Sequence, residues 1–208
     1  MRKKLIYGLL AFGIGTGLGV SAQAGAIASG MMLASTCGAC HGPNGSSYGP
    51  ASPSIAGINA EYMIDTMTAF KSGERHSTIM SRIAKGYSDD EIKAIAKYLA
   101  AQSITRRVVQ SSDPKKAEKG QALVREYCTD CHEKDGYSAL DYPSLAGQPM
   151  LYLSYSLADF KSKMRDIEHN PSMSSKERRK KLRNLAALEK EHGQDGIEAV
   201  IHFLGSRK

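Results

Sequence analysis

Cys37-Gly38-Ala39-Cys40-His41 and Cys128-Thr129-Asp130-Cys131-His132 constrain this chain most, because each crowds two thiols and an imidazole into five positions. The sequence around them repeats itself. Cys37 and Cys128 stand 91 residues apart, and Pro53-Ser54-Ile55-Ala56-Gly57 matches Pro143-Ser144-Leu145-Ala146-Gly147 at an offset of 90. The same offset pairs Tyr62 with Tyr152, Phe70-Lys71-Ser72 with Phe160-Lys161-Ser162, and Arg75 with Arg165. Towards the ends, Ile92 to Leu99 matches Ile197 to Leu204 at an offset of 105. The second copy therefore carries about 15 extra residues, nearly all between Arg165 and Ile197. Self-similarity decides how many units fold, so it takes precedence over local patterns. The chain is a tandem duplication.

Its 208 residues suffice for two small domains and include no tryptophan. A domain of about 80 residues buries a limited core and usually needs a staple such as a metal or a large cofactor. The N-terminus reads as an export signal over residues 1–24: Arg2, Lys3 and Lys4 form a charged head, and Leu5 to Val20 is apolar. Ala22-Gln23-Ala24 then fits the small-x-small cleavage rule, with the cut after Ala24. The alternative, an uncleaved anchor, fits less well, because the run is shorter than the roughly 20 residues a span needs. A periplasmic location follows. Cleavage removes three of the 28 Lys and Arg and leaves 25 against 21 Asp and Glu, too weak a basic excess to argue for nucleic acid.

Four cysteines in an exported chain could form two disulfides. Here they form two CxxC pairs, each followed directly by histidine, which is the attachment signature of c-type haem. A zinc site would require the pairs to converge across 91 residues and would ignore both histidines. The reading is two covalently bound haem c groups: thioether links from Cys37 and Cys40, and from Cys128 and Cys131, with His41 and His132 as proximal iron ligands. A backbone carbonyl near Pro53 or Pro143 is placed to accept from the other ring nitrogen of each histidine. A methionine on the sixth position closes the iron and suits electron transfer, whereas an open site suits ligand chemistry. In copy one Met80, in the irregular "RHSTIMS" segment, is preferred over Met63 and Met67, whose helical setting beside Tyr62 and Phe70 reads as core packing. In copy two Met173, 41 residues after His132, aligns with Met80, 39 after His41, and is preferred over Met164 and Met150. His76 and His169 are the bis-histidine rivals. The basic run from Lys176 to Arg183 reads as a solvated helix face, and His202 as a solvent-facing residue.

Apolar periodicity and cap residues predict an all-α fold of two tandem units: domain 1 over 25–102, a linker over 103–112 and domain 2 over 113–208. Expected helices are Ala26 to Thr36, Ala60 to Lys71 and Asp89 to Ala101 in copy one, with Ser88 as a cap. In copy two they are Pro114 to Tyr127 with Asp113 as N-cap, Met150 to Ser162, and Gly196 to Gly205.

The two units resemble tandem class I cytochrome c domains. More narrowly, "GPASPSIAG" (49–57), "FKSGERHSTIMSRIAKGYS" (70–88) and, more loosely, "DYPSLAGQPMLYL" and "DFKSK" resemble the dihaem cytochrome subunit of flavocytochrome c sulfide dehydrogenase. The resemblance implies no substrate site on this chain. It implies a partner, an FAD-containing sulfide dehydrogenase flavoprotein subunit, and a soluble electron acceptor such as a small cytochrome c. It also favours Met80 as a ligand. A free-standing dihaem cytochrome serving a terminal oxidase would share the same fold and haems. Thiolate-ligated catalysis would need a fifth cysteine, and all four are used in attachment.

Overall fold

The computed structural model describes residues 29–137, 142–162, 164–165 and 174–208. The expected export signal, His169 and Met173 lie outside them. Copy one begins with α1 (Gly30–Ser35), where the Ser29 hydroxyl accepts from the Met32 N–H at 3.3 Å. The single turn α2 (Gly38–His41) carries the first motif. After a glycine-proline loop come α3 (Ala60–Ser72), the short α4 (Met80–Ile83) and α5 (Asp89–Ala100). Asn59 Oδ1 caps α3 at the Tyr62 N–H, and the helix stops at Gly73, whose φ of 90° a side chain would resist. α5 opens with Ser88 and Glu91 each bonding the other's backbone N–H, a capping box of which the Ser cap alone contributes about 1 kcal/mol. From α5, Ile92, Ile95, Ala96 and Leu99 bury one stripe against Ala34, Met63, Met67 and Ala84. Each large aliphatic side chain buried this way contributes about 1.5–3 kcal/mol.

Copy two rebuilds this plan with α6 (Pro114–Tyr127), the turn α7 (Glu133–Gly136), α8 (Met150–Lys161) and α9 (Ser175–Ser206). Asp113 caps α6 by accepting from Lys115 and Lys116 N–H at 2.8 and 3.0 Å, with Pro114 in the first helical position. Leu123, Val124, Leu153, Leu188, Ala199, Val200, Phe203 and Leu204 form the second core. One expectation is corrected here. The closing helix does not start near Gly196: α9 begins at Ser175 behind a Ser174–Glu177 capping box, and Gly193, at φ 58° and ψ −155°, kinks it. The extra residues of copy two thus supply a helical segment that joins the closing helix at Gly193.

In each copy the first and last helices cross at a glycine. A Cβ on Gly30 would lie 2.3 Å from the Ala94 carbonyl oxygen, and one on Gly120 would lie 1.9 Å from that of Ala199. Gly30 and Gly120 correspond at the 90 offset, Ala94 and Ala199 at 105. The repeat therefore preserves a backbone-to-backbone contact.

The copies dock through buried polar groups. Gln148, 2% exposed, accepts from the Ser54 N–H at 2.8 Å and donates to the Ser54 carbonyl at 2.9 Å. Arg75 and Arg165 meet as an isolated antiparallel bridge, and Arg165 Nη2 donates to the Tyr62 hydroxyl at 2.6 Å. Residues 103–112 contain no helix but are fixed along their length. The Thr105 N–H donates to Ser46 Oγ at 2.9 Å, Arg106 Nε to the Ala146 carbonyl at 3.0 Å, and Gln110 Nε2 to the Gln148 and Gly205 carbonyls at 2.9 and 2.8 Å. The fold is all-α in two units related by internal duplication.

Candidate functional site

The two motifs share one pair of hydrogen bonds, although residues 38–41 form a helical turn and His132, at φ −123° and ψ 83°, leaves the helical region. His41 and Cys40 N–H donate to the Cys37 carbonyl at 2.9 and 3.2 Å, and His132 and Cys131 N–H to that of Cys128 at the same distances. One tight turn therefore presents both sulfurs and the imidazole on one side. The loop behind each motif is tied back by equivalent bonds. Ile55 and Ala56 N–H converge on the Gly45 carbonyl at 2.7 and 3.0 Å; Leu145 and Ala146 N–H converge on that of Gly136 at 2.8 and 2.9 Å. Gly57 and Gly147 then bond the Leu99 and Leu204 carbonyls at 2.9 and 2.8 Å, anchoring each loop on its closing helix.

The anchored loop delivers the carbonyl that sequence reasoning expected. His41 Nδ1 lies 2.8 Å from the Pro53 oxygen, and His132 Nδ1 lies 3.0 Å from that of Pro143. A carbonyl only accepts, so Nδ1 carries the proton and Nε2 keeps its lone pair for a metal. Burial lowers the His41 pKa, against the Pro53 bond. His132 falls to about 4, through burial first and then the Lys181 charge. In both copies burial favours the neutral ring, the form that ligation requires.

The sulfurs are unpaired: all four cysteines are free. Burial raises the Cys37 and Cys131 pKa values and pushes Cys128 to about 12. A redox-active CxxC has the opposite signature, a lowered thiol pKa. Among the described residues no three His, Cys, Asp or Glu side chains converge on a metal position. Two free thiols three positions apart, followed by a neutral histidine oriented through Nδ1, fit covalent haem c with iron on Nε2.

Met63 and Met67 are 7% and 8% exposed and belong to the first core, as their helical setting suggested. Met80 opens α4, half-buried against that core, while His76 is exposed. In copy two Met164 is 47% exposed and Met150 packs on the second core. Two residues expected to face solvent do not do so fully. His202 is half-buried, its Nδ1 accepting from the Asp113 N–H at 2.9 Å. The basic run is only partly solvated: Lys180 pairs with Asp130 at 2.7 Å, and Lys181 turns inward.

Between the copies lies a concentration of positive charge. Arg75 stacks on Phe70 at 4.6 Å, Arg165 on Phe160 at 4.2 Å, and Lys181 Nζ approaches the same Phe160 ring to 4.2 Å. Burial pushes the Tyr62 pKa up, but the charges of Arg165, Arg75 and Lys181 more than offset it and bring the hydroxyl to about 8. Burial and the neighbouring Arg165 lower Lys181 to about 8.

A small helical unit built round CxxCH, repeated once and joined face to face, defines a dihaem c-type cytochrome. Comparison with known proteins agrees. The cytochrome c family profile matches residues 27–103. Cytochrome c4 of Pseudomonas aeruginosa is 33% identical over 171 residues, covering 77% of this chain and 82% of its own length. The crystal structure of reduced recombinant cytochrome c4 from Pseudomonas stutzeri superposes with a TM-score of 0.71 at 26% identity, covering 89% of this chain and all of that one. The chain belongs to the cytochrome c4 family, electron-transfer proteins that carry haem c covalently. The cytochrome subunit of sulfide dehydrogenase from Chlorobaculum tepidum is 45% identical, but over only 69 residues, 33% of this chain and 62% of that protein.

Proposed function

We propose that this chain is an exported, periplasmic one-electron relay, with domains at 25–102 and 113–208 joined by 103–112. Cys37 and Cys40 anchor one haem, with His41 and Met80 on its iron; Cys128 and Cys131 anchor the other, with His132 and Met173. When bound, the haem supplies an iron centre that gains or loses one electron. The residues do the rest. The Pro53 and Pro143 carbonyls hold the imidazoles in one tautomer, and the interface keeps the two units in fixed register. The recurrence of the Nδ1–carbonyl bond at 2.8 and 3.0 Å carries the reading, because a histidine that merely filled space would have no reason to be oriented twice alike.

Likeness to cytochrome c4 over most of both chains favours a self-contained carrier between a dehydrogenase and a soluble or membrane-bound acceptor, including a terminal oxidase. The denser likeness of a 69-residue stretch to a sulfide dehydrogenase cytochrome subunit favours a flavoprotein as the electron donor, the FAD subunit that oxidises sulfide. Purification from the native periplasm tests both. The relay predicts two haems per chain by mass and an N-terminus at Gly25. A co-eluting flavoprotein with flavin absorbance supports the sulfide-oxidising complex; a chain that elutes alone supports the free carrier. A chain with fewer than two haems overturns the relay itself.

A further inference from the structure

The segment that distinguishes copy two delivers one inward-facing cation that copy one lacks. α9 is clamped over the second motif by its own polar residues. Lys180 pairs with Asp130 inside the motif at 2.7 Å, and Asn184 Nδ2 donates to the Tyr127 carbonyl at 3.0 Å. The Tyr142 hydroxyl donates to Glu177 Oε1 at 3.2 Å. These contacts turn Lys181 towards the core of the unit. Its Nζ lies 4.2 Å from the Phe160 ring centroid and 6.0 Å from that of Tyr142, whose ring is in turn 5.8 Å from His132. Aromatic faces hold the ammonium. Among the ion pairs of the described residues, none includes Lys181.

Copy one differs at the same places. Ser52 stands where copy two has Tyr142, and the inserted residues that carry Lys181 are missing. Arg75 and Arg165 correspond to each other, stack on the corresponding rings of Phe70 and Phe160, and meet at the interface, so each copy supplies one of them. Lys181 is the unmatched charge.

We propose that Lys181 is a positioning residue that makes the haem held at His132 easier to reduce than the one held at His41, so that electrons entering through copy one pass to copy two. This rests on the ligand assignment proposed above. The step is a one-electron exchange: the iron at His41 goes from ferrous to ferric as the iron at His132 goes from ferric to ferrous, with no proton moved and no bond made or broken. Reduction removes one positive charge from the centre, so a fixed cation nearby favours the reduced form. Lys181, held near Phe160 and Tyr142, would add that charge beside the group held at His132. One unit charge at an effective dielectric near 20 biases such an equilibrium by roughly tenfold, which is about 59 mV for a one-electron couple.

The test is a spectroelectrochemical titration of the full dihaem chain as wild type, Lys181→Met and Lys181→Arg. The two waves are assigned with Met80→Ala, which displaces only the copy-one wave. The expected result is a copy-two potential lowered by roughly the tenfold equivalent in Lys181→Met, restored in Lys181→Arg, with the copy-one wave unmoved. A merely structural lysine would leave both potentials in place or shift them together, and either outcome overturns the proposal. Failure of Met80→Ala to move one wave selectively would instead overturn the ligand assignment, and this inference with it.

Discussion

Gly120→Ala should destabilise copy two, although alanine is the better helix former. The exchange alone would add about 1 kcal/mol of helix propensity in a free helix. Here the new methyl would sit 1.9 Å from the Ala199 carbonyl oxygen, 2.5 Å from its carbon and 2.8 Å from Phe203 Cβ. Two of those atoms are backbone, so no rotamer change relieves the clash; α6 and α9 must part by roughly 1.5 Å to reach ordinary contact. That opens the packing round Leu123, Val124, Val200 and Leu204, all at most 4% exposed. Overpacking of this kind costs typically 1–3 kcal/mol and occasionally more, and separation of the helices places this site at the upper end. Net of propensity the loss is about 2 kcal/mol, or roughly 4–8 °C in Tm for a cooperative unit comprising both copies. The assay is thermal unfolding of the dihaem chain, followed by far-ultraviolet circular dichroism and haem absorbance. Gly86→Ala is the control, since a Cβ there meets nothing within 4 Å. A Gly120→Ala chain that melts at or above the wild-type temperature refutes the argument that this glycine exists for helix contact.

Further outcomes follow from the interface and the ligands. Gln148→Ala leaves the Ser54 N–H and carbonyl, on a residue only 1% exposed, without their partner; at about 1–3 kcal/mol per unsatisfied group, calorimetry should show the two copies melting as separate transitions instead of one. Met80→Ala should remove about half of the charge-transfer absorption that methionine gives ferric haem, leaving the contribution of the second copy; an undiminished band would remove Met80 from the iron. Tyr62 titrates near 8 in the folded chain, below the usual 10 or so of the unfolded one. A depressed acid contributes stability that is present above pH 10 and lost as pH falls through 8, so urea stability should climb from pH 8 to pH 10 by on the order of 1–2 kcal/mol. Tyr62→Phe should reduce that climb, leaving the part that Lys181, also lowered to about 8, contributes with the same sign; an unchanged slope would contradict it.

The attachment geometry was legible because it is local. Two thiols and an imidazole within five positions fix their own turn, and a proline-glycine loop can only fold back over it. Caps were legible for the same reason: Ser88 and Asp113 announce α5 and α6 chemically. The crossings at Gly30 and Gly120 also had a signal, since both glycines fall at the 90 offset, but glycine in a helix reads as a weak former until its opposing backbone is known. α9 was hidden differently. Its first turns, 175–181, are nearly all charged, and Gly193 separates the short stripe of Leu182, Leu185 and Leu188 from the pattern that continues to Gly205. Whether a lysine in "KERRKKLR" points outward or inward depends on Asp130, Tyr127 and Tyr142, which are distant in sequence. The setting of His202 is hidden in the same way, because its partner is the Asp113 backbone, 89 residues away.

Residues 103–112 look, from composition, like slack between two beads. Thr105, Arg106 and Gln110 make that strip a splint, bonded to copy one at Ser46 and to copy two at Ala146, Gln148 and Gly205. The spacing of the two redox centres is then a property of hydrogen-bond geometry and not of tether length. Insertions in this strip would tear bonds before they added reach, whereas copy two carries extra length in the half of α9 before Gly193.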